Sequence, residues 1–70
     1  SEHCIFHESF VLAALQNKYK EQAVIKASLH KVIDAYLRTG SEMELQQFLE
    51  KVQALNEIWY KDATVYLKRQ

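Results

Sequence analysis

The 70-residue chain contains no proline, one glycine and one cysteine. Proline and glycine are the residues that most often end helices and form tight turns, so their scarcity predicts long helices joined by one well-marked turn. A single glycine also excludes a glycine-rich phosphate-binding loop. One cysteine cannot form an intramolecular disulfide, so we expect a fold without a covalent cross-link in a reducing compartment, the cytoplasm.

An excess of charge and a long apolar run are also missing. Nine basic and nine acidic side chains give a formal net charge of zero, whereas nucleic acids and anionic membranes attract clustered Lys and Arg. The longest apolar run, residues 10–15, is far shorter than the roughly 20 residues that span a bilayer. We therefore expect no nucleic-acid partner, no membrane-spanning segment and no signal peptide.

The single glycine marks the clearest boundary in the chain. Gly40 follows Arg38 and Thr39 and suits the left-handed position that closes a helix. Ser41 and Glu44 then have the spacing of a capping box, in which each side chain accepts a hydrogen bond from the other residue's backbone N–H. The segment predicts that one helix ends near residue 38 and another begins near residue 42.

Apolar residues recur at spacings of three and four on both sides of this turn, as on one face of a helix. The predicted core residues on these faces are Leu29, Val32, Tyr36, Phe48, Val52, Leu55 and Trp59. We expect one all-α domain over residues 1–70, with helices near 5–17, 19–38 and 42–68. The last two would pack as an antiparallel helical hairpin. Whether the N-terminal segment folds back as a third helix is left open.

The apolar content exceeds what such a hairpin can bury. A two-helix hairpin covers one apolar face per helix, and at this length burial and chain entropy nearly cancel. The surplus must be covered by the N-terminal helix, by a second copy of the chain or by another protein. The residues that we predict to contact a partner are Phe10, Leu12, Leu15 and Tyr60.

The only cluster with metal-ligand chemistry lies at the front of the chain. His3 and His7 would share a helix face, with Cys4 and Glu8 beside them. A structural zinc site usually takes four ligands, and no second cluster completes the set. We expect no metal and no cofactor.

The raw material for hydrolytic chemistry is equally sparse. It comprises Cys4, Ser9, Ser28, His30 and Asp34. His30 and Asp34 are four residues apart and are expected to form an ordinary ion pair on the helix surface, because two helices offer no oxyanion hole or pocket. We expect a protein that is not an enzyme.

The run from residue 37 to 55, LRTGSEMELQQFLEKVQAL, resembles the small E-type co-chaperones of bacterial type III secretion systems. In that family a helix ends in a turn containing Arg and Gly, the next helix opens with a Gln-rich, aromatic stretch, and an Ala-Leu pair follows. The resemblance covers about residues 20–67. The matching residues are Arg38, Gly40, Gln46, Gln47, Phe48, Ala54 and Leu55.

The resemblance implies a cytoplasmic hairpin that binds a tetratricopeptide-like chaperone, the pair then keeping a secretion needle subunit monomeric. The aromatic tail at Trp59 and Tyr60 and the front rich in Phe and His depart from the family pattern. The competing hypothesis is a self-assembling structural subunit, either similar to a needle or inner-rod subunit or a homo-oligomeric bundle. The turn of needle and inner-rod subunits typically carries Asn and Pro, which are absent here. We predict a non-catalytic helical module that binds another protein through an apolar helix face.

Overall fold

The computed structural model describes the backbone of residues 2–17 and 21–70 and the side chains of residues 7–17 and 21–70. In this part of the chain every regular element is an α-helix. The helices are α1 (Glu2–Asn17), α2 (Gln22–Thr39), α3 (Glu42–Leu55) and α4 (Glu57–Lys68). The predicted all-α class is confirmed, but the described residues form four helices where two or three were expected.

The additional helix arises at Asn56, where the predicted single helix over residues 42–68 is wrong. Asn56 has extended backbone angles, φ −162° and ψ 114°. Its Oδ1 accepts hydrogen bonds from the backbone N–H of Ile58 at 2.9 Å and of Trp59 at 3.5 Å. Asparagine is among the best residues for this role, because its short side chain reaches the free N–H groups of the first turn.

The turn at Gly40 is confirmed, although its capping differs from the prediction. Gly40 is left-handed, with φ 74° and ψ 15°, and its N–H donates to the carbonyl of Tyr36. The N–H of Ser41 donates to the same carbonyl at 3.2 Å. The predicted capping box is wrong, because Ser41 makes no side-chain cap hydrogen bond at its φ of −84° and ψ of 64°.

The helices pack differently from the predicted hairpin. α2 and α3 contact each other at the centre of the bundle, while α1 and α4 each pack against both of them. Within the described residues, α1 and α4 do not touch. The predicted contact between α2 and α3 is the least extensive of the five helix pairs, because the flanking helices share the apolar faces of both. The fold is therefore a small bundle with α1 and α4 on opposite sides.

The core draws mainly on α1, α2 and α3. Five of the seven predicted core residues are buried, namely Leu29, Val32, Tyr36, Phe48 and Val52. The other two, Leu55 and Trp59, are half-buried against its edge. α4 contributes one fully buried residue, Ala63. The α4 side of the bundle therefore leaves more of its apolar surface uncovered.

Candidate functional site

The four residues predicted to contact a partner do not form one surface. Leu15 is fully buried, which corrects its predicted surface role, because α1 turns this side chain into the core. Leu12 and Tyr60 are half-buried and pack against the core. Phe10 is 38% exposed. Phe10 and Tyr60 belong to helices that do not contact each other in the described part of the chain.

The candidate metal ligands are placed only in part. The side chains of His3 and Cys4 lie outside the described residues. Among the side chains that are described, no group of three His, Cys, Asp or Glu could hold a metal ion. Glu8 serves a structural contact instead. Its carboxylate accepts hydrogen bonds from the hydroxyl of Tyr36 at 2.6 Å and from Nζ of Lys51 at 3.2 Å, and so joins α1 to α2 and α3.

A row of polar contacts joins α2 to α4. Nε2 of His30 lies 3.0 Å from Oδ2 of Asp62, and Nζ of Lys26 lies 3.4 Å from Oδ1 of the same carboxylate. The hydroxyl of Tyr66 donates to Asp34 at 2.9 Å and 3.0 Å from its two oxygens. Residue numbers rise together on the two helices, so α2 and α4 run parallel. We call His30, Asp34, Asp62 and Tyr66 the α2–α4 seam.

The groups of the seam satisfy one another. The His30 ring stacks on the Tyr66 ring with centroids 3.6 Å apart and planes 8° from parallel. The hydrogen bond to Asp34 raises the pKa of the Tyr66 hydroxyl, because ionisation would break that bond and place two negative charges together. The predicted ion pair between His30 and Asp34 is replaced by these contacts to α4. The seam therefore holds two helices in register.

Two rows of residues with the same spacing lie along the seam, one on each helix. Each row has successive spacings of four, three and four, which place its members on one side of a helix. The α2 row is Ala27, Lys31, Asp34 and Arg38, and the α4 row is Ile58, Asp62, Val65 and Arg69, the last being the residue that caps the end of α4. Asp34 and Asp62 belong to the seam itself, so both rows border it. We call these eight residues the seam surface.

The seam surface has an apolar part on α4 and an excess of free positive charge. Ile58 is 68% exposed and Val65 is 49% exposed. Lys31, Arg38 and Arg69 are exposed and form no ion pair with any described residue. The two carboxylates of the surface are already engaged across the seam. Exposed aliphatic side chains and cations that form no ion pair with a described residue therefore lie on the same part of the bundle.

Two open grooves lie where the seam meets the Gly40 turn. One, of about 380 Å³, is lined by Asp34, Leu37, Arg38, Tyr66 and Gln70. The other, of about 280 Å³, is more apolar and is lined by Tyr36, Leu37, Gly40, Glu42, Leu45, Gln46 and Leu67. Leu37 contributes to both grooves and is 45% exposed. It offers a further apolar contact at the end of the seam surface.

Comparison with known proteins adds no relative to this description. No protein-family model matches the chain, and neither a curated protein nor a solved structure was found to be similar. Among the described helices, none is long and apolar enough to cross a membrane.

Sequence reasoning missed the seam surface as a unit. The signal that could have found it is the identical four-three-four spacing in the two rows. That signal becomes meaningful only once α2 and α4 are known to be parallel neighbours. The sequence instead predicts one helix over residues 42–68 that runs antiparallel to the helix over residues 19–38.

Proposed function

We propose that this chain is a non-catalytic module that binds another protein through the seam surface. The observation that supports the proposal is the exposure of Ile58 and Val65 on the same side of α4, beside cations that form no ion pair with a described residue. Interfaces between proteins commonly combine an apolar centre with a charged rim that fixes orientation.

Burial of these side chains by a partner would be favourable. Fully burying a side chain such as Val, Leu or Ile contributes about 1.5–3 kcal/mol. Ile58, Val65 and the adjoining Leu37 each expose close to half of their surface or more. A partner that covers all three would thus gain several kcal/mol before the costs of association.

The more specific form of this proposal is a cytoplasmic co-chaperone, which rests on the resemblance at residues 37–55. Such a protein acts through mass action, because binding only the folded state of its partner stabilises that state. Residues of the resembling run also line the grooves beside the seam surface, among them Leu37, Arg38 and Gly40.

The alternative is self-assembly. Contact between the seam surfaces of two copies would bring Lys31, Arg38 and Arg69 of both chains together, and like charges at an interface are costly. A different protein is therefore the better candidate.

Site-specific photocrosslinking in living cells tests the proposal. Benzoylphenylalanine would replace Val65 in the full chain, and a matched variant would carry it at Phe10, which is comparably exposed on α1, a helix whose described residues do not contact α4. We expect a discrete adduct with a different protein at position 65 and none at position 10. Adducts at position 10 alone would move the binding surface to α1, and adducts only between copies would favour self-assembly. Absence of any adduct would contradict the proposal.

A further inference from the structure

We infer that the segment bound by the seam surface is an acidic amphipathic helix. This inference rests on the proposed function and names the class of partner that the surface fits. Three properties of the surface carry it: the sign of its free charge, the position of its aliphatic side chains and the common period of its two rows.

The free charge of the surface is positive although the chain as a whole is neutral. Asp62 is paired with Lys26 and His30, and Asp34 accepts the Tyr66 hydroxyl at both oxygens. The charge of Asp62 is thus offset by Lys26, whereas Asp34 keeps its negative charge and is outnumbered by the cations of the surface. The cations Lys31, Arg38 and Arg69 have no such partner among the described residues, and Lys61 is likewise unpaired beside the α4 row. A negatively charged partner would therefore be attracted to this surface.

The aliphatic side chains require more than a negatively charged partner. Ile58 and Val65 are seven residues apart, which is about 10 Å along a helix. A polyanion such as a nucleic acid would neutralise the cations but leave these two side chains in water. A partner that gains from the whole surface must present apolar groups and carboxylates together.

The period of the rows selects a helix among such partners. Lys31 and Arg38 on α2 have the same seven-residue separation as Ile58 and Val65 on α4, and the two helices are parallel. Apolar residues at three- and four-residue spacing form one side of a helix, with acidic residues beside them. Such a helix lying along the seam would contact both aliphatic side chains and both cations at matching intervals.

Binding of synthetic peptides to the full chain tests this inference. The first probe is a fluorescent peptide about five turns long, with Leu at helical spacing and Glu on its flanks. The second carries Lys in place of Glu, and the third is a scrambled version of the first, with the same composition but no apolar side. We expect the chain to bind the first peptide and to bind the other two at least about tenfold more weakly.

Charge reversal in the chain identifies the surface. The double variant Lys31→Glu, Arg38→Glu should bind the acidic peptide about tenfold more weakly or worse, and should gain affinity for the Lys peptide. The matched control is Gln22→Glu, Gln53→Glu, Lys68→Glu, which changes the net charge equally at exposed positions outside the eight residues of the seam surface and should retain the preference for the acidic peptide. Ile58→Ser should weaken binding of the acidic peptide without raising the affinity for the Lys peptide. Circular dichroism checks that all variants stay helical.

The contrary outcomes are separable from those of the proposed function. Equal binding of the scrambled acidic peptide would show a purely electrostatic surface and overturn the helical partner. Equal binding of the Lys peptide, or no effect of the double charge reversal, would overturn the inference that the partner is acidic. If photocrosslinks at position 65 persist in either case, the protein-binding function stands and only the partner class is wrong. If no crosslink forms, the function itself fails.

Discussion

α3 and α4 have similar lengths and similar amphipathic patterns, yet they are held in the bundle in different ways. α3 buries Leu45, Phe48, Leu49 and Val52. α4 buries only Ala63, while its larger side chains are half-buried, and it is tied to α2 through the polar contacts of the seam. The contrast indicates that α3 is held by apolar burial and α4 to a larger extent by hydrogen bonds.

The difference has a consequence for function. Burying a large apolar side chain contributes about 1.5–3 kcal/mol. A buried hydrogen bond to a charged group contributes a similar amount, about 1.5–3 kcal/mol, but a half-exposed hydrogen bond contributes less. The fold therefore depends more on α3 than on α4. The outer side of α4 can carry exposed Ile58 and Val65 for a partner without weakening the core.

The largest expected effect comes from the α3 core. Phe48→Ala removes a side chain that is 1% exposed, and we expect the free energy of unfolding to fall by about 3–5 kcal/mol, because both burial and packing are lost. Urea denaturation followed by circular dichroism measures this loss. Gln53→Ala, on an exposed position of the same helix, should change stability by less than about 0.5 kcal/mol. A loss below about 1 kcal/mol for Phe48→Ala would show that α3 is not the main contributor.

A smaller effect is expected at the seam. Tyr66→Phe removes the hydroxyl that donates to Asp34 and should lower the free energy of unfolding by clearly less than Phe48→Ala does, because the bond to the carboxylate is partly exposed to water. The matched control is Tyr60→Phe, because the Tyr60 hydroxyl forms no hydrogen bond with a described residue. If both variants lose the same stability, the aromatic rings and not the hydrogen bonds hold α4.

The sign of the stability change in a third variant tests whether α3 and α4 are separate helices. Asn56→Ala removes the side chain that caps α4 and should destabilise the chain by about 1 kcal/mol. If α3 and α4 were one continuous helix, alanine would instead stabilise it, because alanine has a higher helix propensity than asparagine. Thermal unfolding distinguishes the two signs, and Asn56→Asp, which retains a capping oxygen, should keep most of the stability.

Much of the fold could be predicted from the sequence, because the strongest signals are local. The unique glycine marks the α2–α3 turn, and the three-four spacing identifies the buried faces of these two helices. The break at Asn56 could not be predicted from spacing, since Leu55 and Trp59 continue the apolar period across it. One asparagine within an unbroken period is a weak stop signal, and its capping role is visible only in the backbone angles.

The candidate site was harder to predict, because it depends on long-range packing. The run of residues 10–15 has no polar residue to show which side faces inward, so Phe10 and Leu15 could not be told apart. His30 and Asp62 are 32 residues apart. Their contact follows from the parallel packing of α2 and α4, which no local pattern reveals.

The smallest effect is a loss of stability at alkaline pH that originates at Tyr66. Its folded-state pKa is raised by the hydrogen bond to Asp34, whereas the unfolded value is about 10. Below pH about 10 both states are protonated and the bond contributes fully. At higher pH the unfolded chain loses the proton first, so the contribution declines as the pH rises through the folded-state pKa. The stability difference between the natural chain and Tyr66→Phe should therefore shrink in this range, as denaturant midpoints can measure. A difference that stays constant or grows would show that the hydroxyl of Tyr66 does not tie α4 to α2 through Asp34.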